Sequence, residues 1–131
     1  MFLNVLSALR TGVGALCLSL LLVSGAYAQK WSKGAPFPDP SEEVYGIAVG
    51  GKLYVLGGLG PAWTPKGLVY EYDPAADTWT KMPPMETARH GVAADFIGNK
   101  LHVVSGNVQS GGGPAALVET EAHEVLEVQK K

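Results

Sequence analysis

Tyr45-Gly-Ile-Ala-Val-Gly-Gly-Lys-Leu-Tyr-Val-Leu-Gly-Gly58 contains two β-rich runs, Tyr45–Val49 and Lys52–Leu56, split by Gly50-Gly51. Two glycines between such runs mark a tight hairpin, because the turn that matches strand twist needs positive φ at both central positions. A third run, Leu68–Tyr72, ends in Asp73-Pro74, and a fourth, Thr78–Lys81, ends in Met82-Pro-Pro. Four short strands joined by turn residues make an antiparallel sheet. The second run is apolar on both faces, with Leu53 and Val55 on one and Tyr54 and Leu56 on the other, so the sheet is expected to be covered on both sides.

The pattern recurs. Shifting the chain by 48 residues lays Trp31–Gly58 on Trp79–Gly106 without a gap, and nine positions coincide: Trp31/Trp79, Lys33/Lys81, Pro36/Pro84, Val44/Val92, Gly50/Gly98, Lys52/Lys100, Leu53/Leu101, Val55/Val103 and Gly58/Gly106. The second copy has its hairpin at Gly98-Asn99 and a third strand expected at Val125–Gln129, displaced by 56. The extra length falls in the loop Asn107–Glu121, which contains Gly111-Gly-Gly-Pro114. A repeat of this length signals stacked supersecondary units.

The order of Gly57-Gly58, Tyr72-Asp73-Pro74 and Trp79 resembles the kelch motif of β-propellers, including the galactose-oxidase-like propellers, over residues 31–129. The second copy departs from it with Ser105-Gly106 for the double glycine. The resemblance implies an all-β fold of about two four-stranded antiparallel kelch blades. One spans about residues 43–82, and an incomplete one spans about 90–129, completed by the N-terminal strand around Trp31 or by a neighbouring chain. Gly57, Gly58, Gly106, Tyr72, Asp73, Trp79 and Trp31 would be its structural positions. Propellers use four to eight blades, so the chain is expected either to assemble with copies of itself or to be a remnant of a longer propeller.

Ahead of the repeats, Arg10, the apolar run Val13–Val23 and the ending Ala26-Tyr27-Ala28 have the layout of a secretory signal peptide. Residues 1–28 are therefore read as a signal helix and residues 29–131 as the exported domain, periplasmic or secreted, with no membrane attachment after cleavage. The single cysteine, Cys17, lies in the leader, so the domain has no disulfide and lacks the cysteine that the copper-radical cofactor of galactose oxidases needs. A net charge of -2 gives no basic field for nucleic acid.

No Gly-x-Ser-x-Gly, phosphate loop, His-Glu-x-x-His or cysteine pair is present, so the chain reads as a binding or interaction module without catalysis or cofactor. Its expected partners are copies of itself, another protein or a carbohydrate. In kelch propellers the residues before the innermost strand line the channel mouth, and Arg89 there offers a guanidinium fork for an anion, beside His90. The alternative that the resemblance implies is a carbohydrate-active enzyme similar to the exported sialic-acid epimerases, assembled from several chains, for which Arg89 with Glu42 or Glu43 of this chain would supply an anion clamp and a base. Trp63, in the loop Leu59–Gly67, is a candidate ligand contact. The turn at Gly98-Asn99 places Asp95 opposite His102, a polar pair where the first copy has Ile47 and Tyr54, on a face expected to be buried; there the carboxylate would raise the histidine pKa and fix its tautomer. His90 and His123 have no spacing that groups them with a third ligand, so no metal site is expected.

Overall fold

The computed structural model describes residues 29–109 and 118–129. The chain divides into a leading unit, Met1–Trp31, and a main unit, Ser32–Lys131. The expected signal helix lies outside the described residues. Among those residues no helix is long and apolar enough to cross a membrane.

The described residues of the main unit form seven strands: β1 (Tyr45–Val49), β2 (Lys52–Leu56), β3 (Val69–Asp73), β4 (Thr78–Lys81), β5 (Ala93–Ile97), β6 (Lys100–Val104) and β7 (His123–Glu127). They form one antiparallel sheet of order β1-β2-β3-β4 and a second of order β5-β6-β7. The registers follow from the two-residue turns, with Ile47 opposite Tyr54 and Asp95 opposite His102. Both glycines of the first turn have positive φ, as does Gly98 in the second.

One element of the repeat lies elsewhere than the sequence alignment places it. Leu56 pairs with Val69 and Val104 with His123, so β7 follows β3 by 54 residues rather than 56. Glu127, opposite Lys100, therefore takes the place of Asp73. The two-residue slip is even, so it leaves every side chain on its expected face, and alternation alone does not detect it.

Each sheet has two faces. In the first, Ile47, Tyr54, Leu56 and Val69 share the Tyr54 face, and Val55, Tyr70, Tyr72 and Trp79 share the Leu53 face. In the second, Ala94, Phe96, Val103 and Leu126 share the Leu101 face, and Asp95, Val104, His123 and Val125 share the His102 face. The core lies where the Tyr54 face meets the Leu101 face, with Leu56 and Leu101 fully buried at its centre and Met85, Val92 and Val128 around them. The Tyr54 and Phe96 rings lie 5.0 Å apart across it. Burying side chains of this size contributes about 1.5–3 kcal/mol each.

The Leu53 face is covered by the segment leading into β1. Phe37 packs edge-on against Tyr70 and Trp79, at 5.4 and 5.0 Å. The Trp79 indole N–H donates to the Ala35 carbonyl at 3.0 Å, and the Ala35 N–H donates to Asp77 at 2.7 Å. The His102 face is different: Ile97, Val104 and Val125 are exposed on it. The expectation that Asp95 and His102 are buried is thus corrected. The corresponding face of the first sheet is buried because a second sheet follows it, and none of the described residues follows the second sheet in that way.

The motif residues have local physical roles. Asp73, ion-paired to Lys52, accepts the N–H groups of Ala75 and Ala76 and so closes the β3–β4 turn. The Lys52 hydrogen bond, together with those N–H groups, holds its carboxyl below the usual range. The Tyr72 hydroxyl donates to Asp77 at 2.5 Å, which pushes the phenol up and the carboxyl down. Trp31 lies in no strand and is exposed.

Candidate functional site

Strand direction places the segments before β1 and β5 at the same end of the sheets as the loops after β2 and β6. Glu42, Glu43, Arg89, His90, Trp63 and the start of the Asn107–Glu121 loop therefore gather at one end, with the hairpin turns at the other.

The two blades build this end alike. In the first, Glu42 bridges Leu59, which bridges Pro65; in the second, His90 bridges Asn107, which bridges Glu119. Each construction depends on a glycine with no room for a side chain. A Cβ at Gly58 would lie 2.6 Å from the Glu42 carbonyl oxygen, and one at Gly106 would lie 2.7 Å from that of His90. Gly57 answers to the neighbouring blade: its absent Cβ would sit 2.8 Å from the Arg89 carbonyl oxygen. That same oxygen accepts the Gly58 N–H at 3.1 Å. The double glycine thus docks one blade on the backbone of the next.

Arg89 is fully buried. Its guanidinium pairs with Glu124 and donates to the carbonyls of Thr87 (3.0 Å) and Val103 (3.1 Å), while Nε has no partner among the described residues. Glu124 also accepts the N–H groups of Glu86 (2.7 Å) and Thr87 (3.0 Å). Burial opposes the charge on Glu124, but Arg89 and the two N–H groups outweigh it and hold the carboxyl below its usual range. The arginine therefore staples the β4–β5 connection to β7 and presents no open fork to an external anion. The sequence gives no sign of Glu124, because its pairing depends on where β7 lies.

His90, nearly buried, pairs through Nδ1 with Glu43 at 2.5 Å, and the Glu43 side chain is about half exposed. Glu43 has φ +51, and the position one repeat later is Gly91 at φ +60. A glutamate is thus held where the second blade uses glycine, and its side chain spans from the first blade to the second. Such a residue costs roughly 1–2 kcal/mol in backbone strain. Glu42 and Arg89 do not pair with each other.

Trp63 ends a short 3-10 turn, Pro61–Trp63, and is half exposed. Ala62 and Trp63 have φ +56 and +57, two successive residues in a region that favours glycine. Closure of the loop by Gly60 N–H to the Thr64 carbonyl (2.8 Å) and Lys66 N–H to the Gly58 carbonyl (2.8 Å) holds them there. Lys66 adds hydrogen bonds to Asp39 (2.6 Å) and Ser41 (3.0 Å), tying the loop to the segment before β1. An indole on a braced, strained loop is a preorganised contact.

Asp95 and His102 lie away from this end, in register on the open face, without a hydrogen bond between them. Asp95 accepts its neighbour Phe96 N–H at 2.7 Å, and His102 instead meets His123.

Residues 47–86 match the family model for the Kelch motif. The chain is 36% identical over 78 residues to Kelch-like protein 25 of Rattus norvegicus, an alignment covering 60% of this chain and 13% of that protein. It is 38% identical over 88 residues to N-acetylneuraminate epimerase 1 of Escherichia coli O6:H1, covering 61% and 23%. It is also 38% identical over 72 residues to Kelch-like protein terF of Aspergillus terreus, covering 51% and 16%. The chain therefore spans less than a quarter of the length of these relatives.

Proposed function

We propose that this chain, a member of the kelch-repeat propeller family, is an exported interaction module without catalysis of its own, and that it binds through the loop end carrying Trp63. The observation that carries this reading is the half-exposed indole held at positive φ on a braced loop. Strain of that kind persists where the surrounding structure fixes a functional conformation. Export rests on the leader sequence at residues 1–28. A photo-reactive residue placed at position 63 and, separately, at position 51 in the opposite hairpin tests the surface in the producing cells. Adducts of defined mass from position 63 alone are expected, and equal labelling from both positions overturns the assignment.

A second reading, a carbohydrate ligand, is favoured by the likeness to the N-acetylneuraminate epimerases. A thermal-shift titration with N-acetylneuraminate tests it, because a ligand bound only to the folded form raises the melting temperature by mass action. A shift that Trp63→Ala removes supports this reading, and no shift at millimolar sugar discards it. Self-association through the exposed Ile97, Val104 and Val125 is the third. Light scattering decides it: a folded, monodisperse monomer removes self-association and leaves the loop-end proposal standing.

A further inference from the structure

The loop end has an uneven charge. Its segments, residues 41–44, 57–68, 84–92 and 105–122, contain three basic side chains, Lys66, Arg89 and His90, and each is engaged. Lys66 is held by Asp39, Ser41 and the Pro40 carbonyl, Arg89 is buried on Glu124, and His90 meets Glu43. His123, which begins β7, meets His102. By contrast, Glu42, Glu86, Glu119 and Glu121 are exposed and form no ion pair among the described residues. Stacked sheets cover each other's faces and leave the strand ends open, so the exposure of this end does not depend on what packs against either outer face.

Two of these carboxylates are placed about the half-exposed Trp63. Glu42 exchanges backbone hydrogen bonds with Leu59, at the foot of the Trp63 loop, at 2.9 and 2.7 Å. Glu119 bridges Asn107 as Pro65, at the other foot of that loop, bridges Leu59. It therefore holds in the second blade the place where the Trp63 loop ends in the first. Sheets packed face to face lie about 10 Å apart, a span that roughly three extended residues cross. We infer that the partner taken at the Trp63 surface is a protein segment bearing arginines, one guanidinium stacked on the indole and the next on Glu42 or Glu119. An indole face attracts a cation, and a guanidinium both stacks on a ring and forks a carboxylate, which an ammonium does not. An anionic group would meet the same carboxylates with each cation already engaged. The inference rests on the loop-end reading above and adds the chemistry of the partner.

Fluorescence anisotropy of the full chain with labelled nine-residue Gly-Ser peptides, bearing three arginines, lysines, glutamines or glutamates, tests it. The arginine peptide is expected to bind tightest, the lysine peptide more weakly and the other two not at all, with affinity falling as salt rises. Trp63→Ala should weaken arginine-peptide binding about fivefold. Glu42→Gln combined with Glu119→Gln should weaken it by at least as much, and both variants should keep the melting temperature within a few degrees, because these side chains are exposed. Asp95→Asn, which alters an exposed carboxylate away from this end, should leave binding unchanged. The same affinity, or none, for the arginine and glutamine peptides overturns the inference, as does arginine-peptide binding that Trp63→Ala leaves intact. A Trp63-dependent melting shift with N-acetylneuraminate overturns it too. Sequencing the adducts from a photo-reactive residue at position 63 separates the two claims. Attachment to segments without basic residues overturns the arginine partner and keeps the loop-end surface, whereas equal labelling from position 51 removes both.

Discussion

The two blades are copies of one pattern, yet their corresponding faces have opposite fates. The Tyr54 face of the first sheet is packed, with Tyr54, Leu56 and Val69 all buried. The equivalent face of the second sheet carries His102, Val104 and His123 at those positions, and none of the three is buried. The difference extends to the backbone. Gly57 is buried beneath the Arg89 carbonyl of the next blade, whereas its counterpart Ser105, at φ +58, is exposed. His102, Val104, Ser105 and His123 thus differ from their counterparts in exposure as well as in identity.

The largest effect that sharpens this contrast is a paired truncation. Leu56→Ala empties a site with no solvent exposure and should cost about 3–4 kcal/mol. The equivalent Val104→Ala, on a residue 42% exposed, should cost less than about 1 kcal/mol. Urea unfolding of both variants checks this, and equal losses would mean that the second face is covered in solution.

A smaller effect is expected from exchanging the two turn residues. Gly57→Ser places a Cβ 2.8 Å from a backbone oxygen at φ +66 and should cost about 2–3 kcal/mol. Ser105→Gly relieves a left-handed serine while loosening the unfolded chain, so it should leave stability unchanged or raise it by up to about 1 kcal/mol. A large loss from Ser105→Gly would show that its hydroxyl, not merely tolerance, holds that position.

The smallest effect is a pH dependence. The folded state holds the Glu124 carboxyl below its ordinary value of 4.5. Its contribution is therefore complete above about pH 5 and is lost as pH falls through the lower folded value. Melting temperature should fall between pH 5 and 3 in the native chain, and less steeply in Glu124→Gln. Parallel slopes would place the acid sensitivity in the first blade, at Asp73 and Asp77.

The fold was legible because hairpins are local. Gly50-Gly51 and Gly98-Asn99 fix registers by themselves, and the recurrence of Trp79, Gly106 and their partners fixes the blade. What depended on distant parts of the chain was not legible. The position of β7 is set across a long loop, and an even slip leaves its alternation intact. The Arg89–Glu124 staple and the His102–His123 pair both follow from that position, so both escaped the sequence. Arg89 stood out as a charge in a promising place, but its charge is spent on Glu124. Trp63 was visible as an aromatic in a proline-flanked loop, whereas the positive φ that makes it a fixed contact was not.

Ser105 also bears on how the molecule can grow. Repeat proteins lengthen, or polymerise, when the last unit offers the surface that the first unit offered to the second. Here the second unit carries a Cβ, at Ser105, at the spot where the first has Gly57 beneath the backbone of its neighbour. A further blade or another copy of the chain, arriving with the spacing found between the first two, would find its carbonyl oxygen blocked. Any contact made through that face must stand off or tilt, so a joint at Ser105 differs from the one at Gly57.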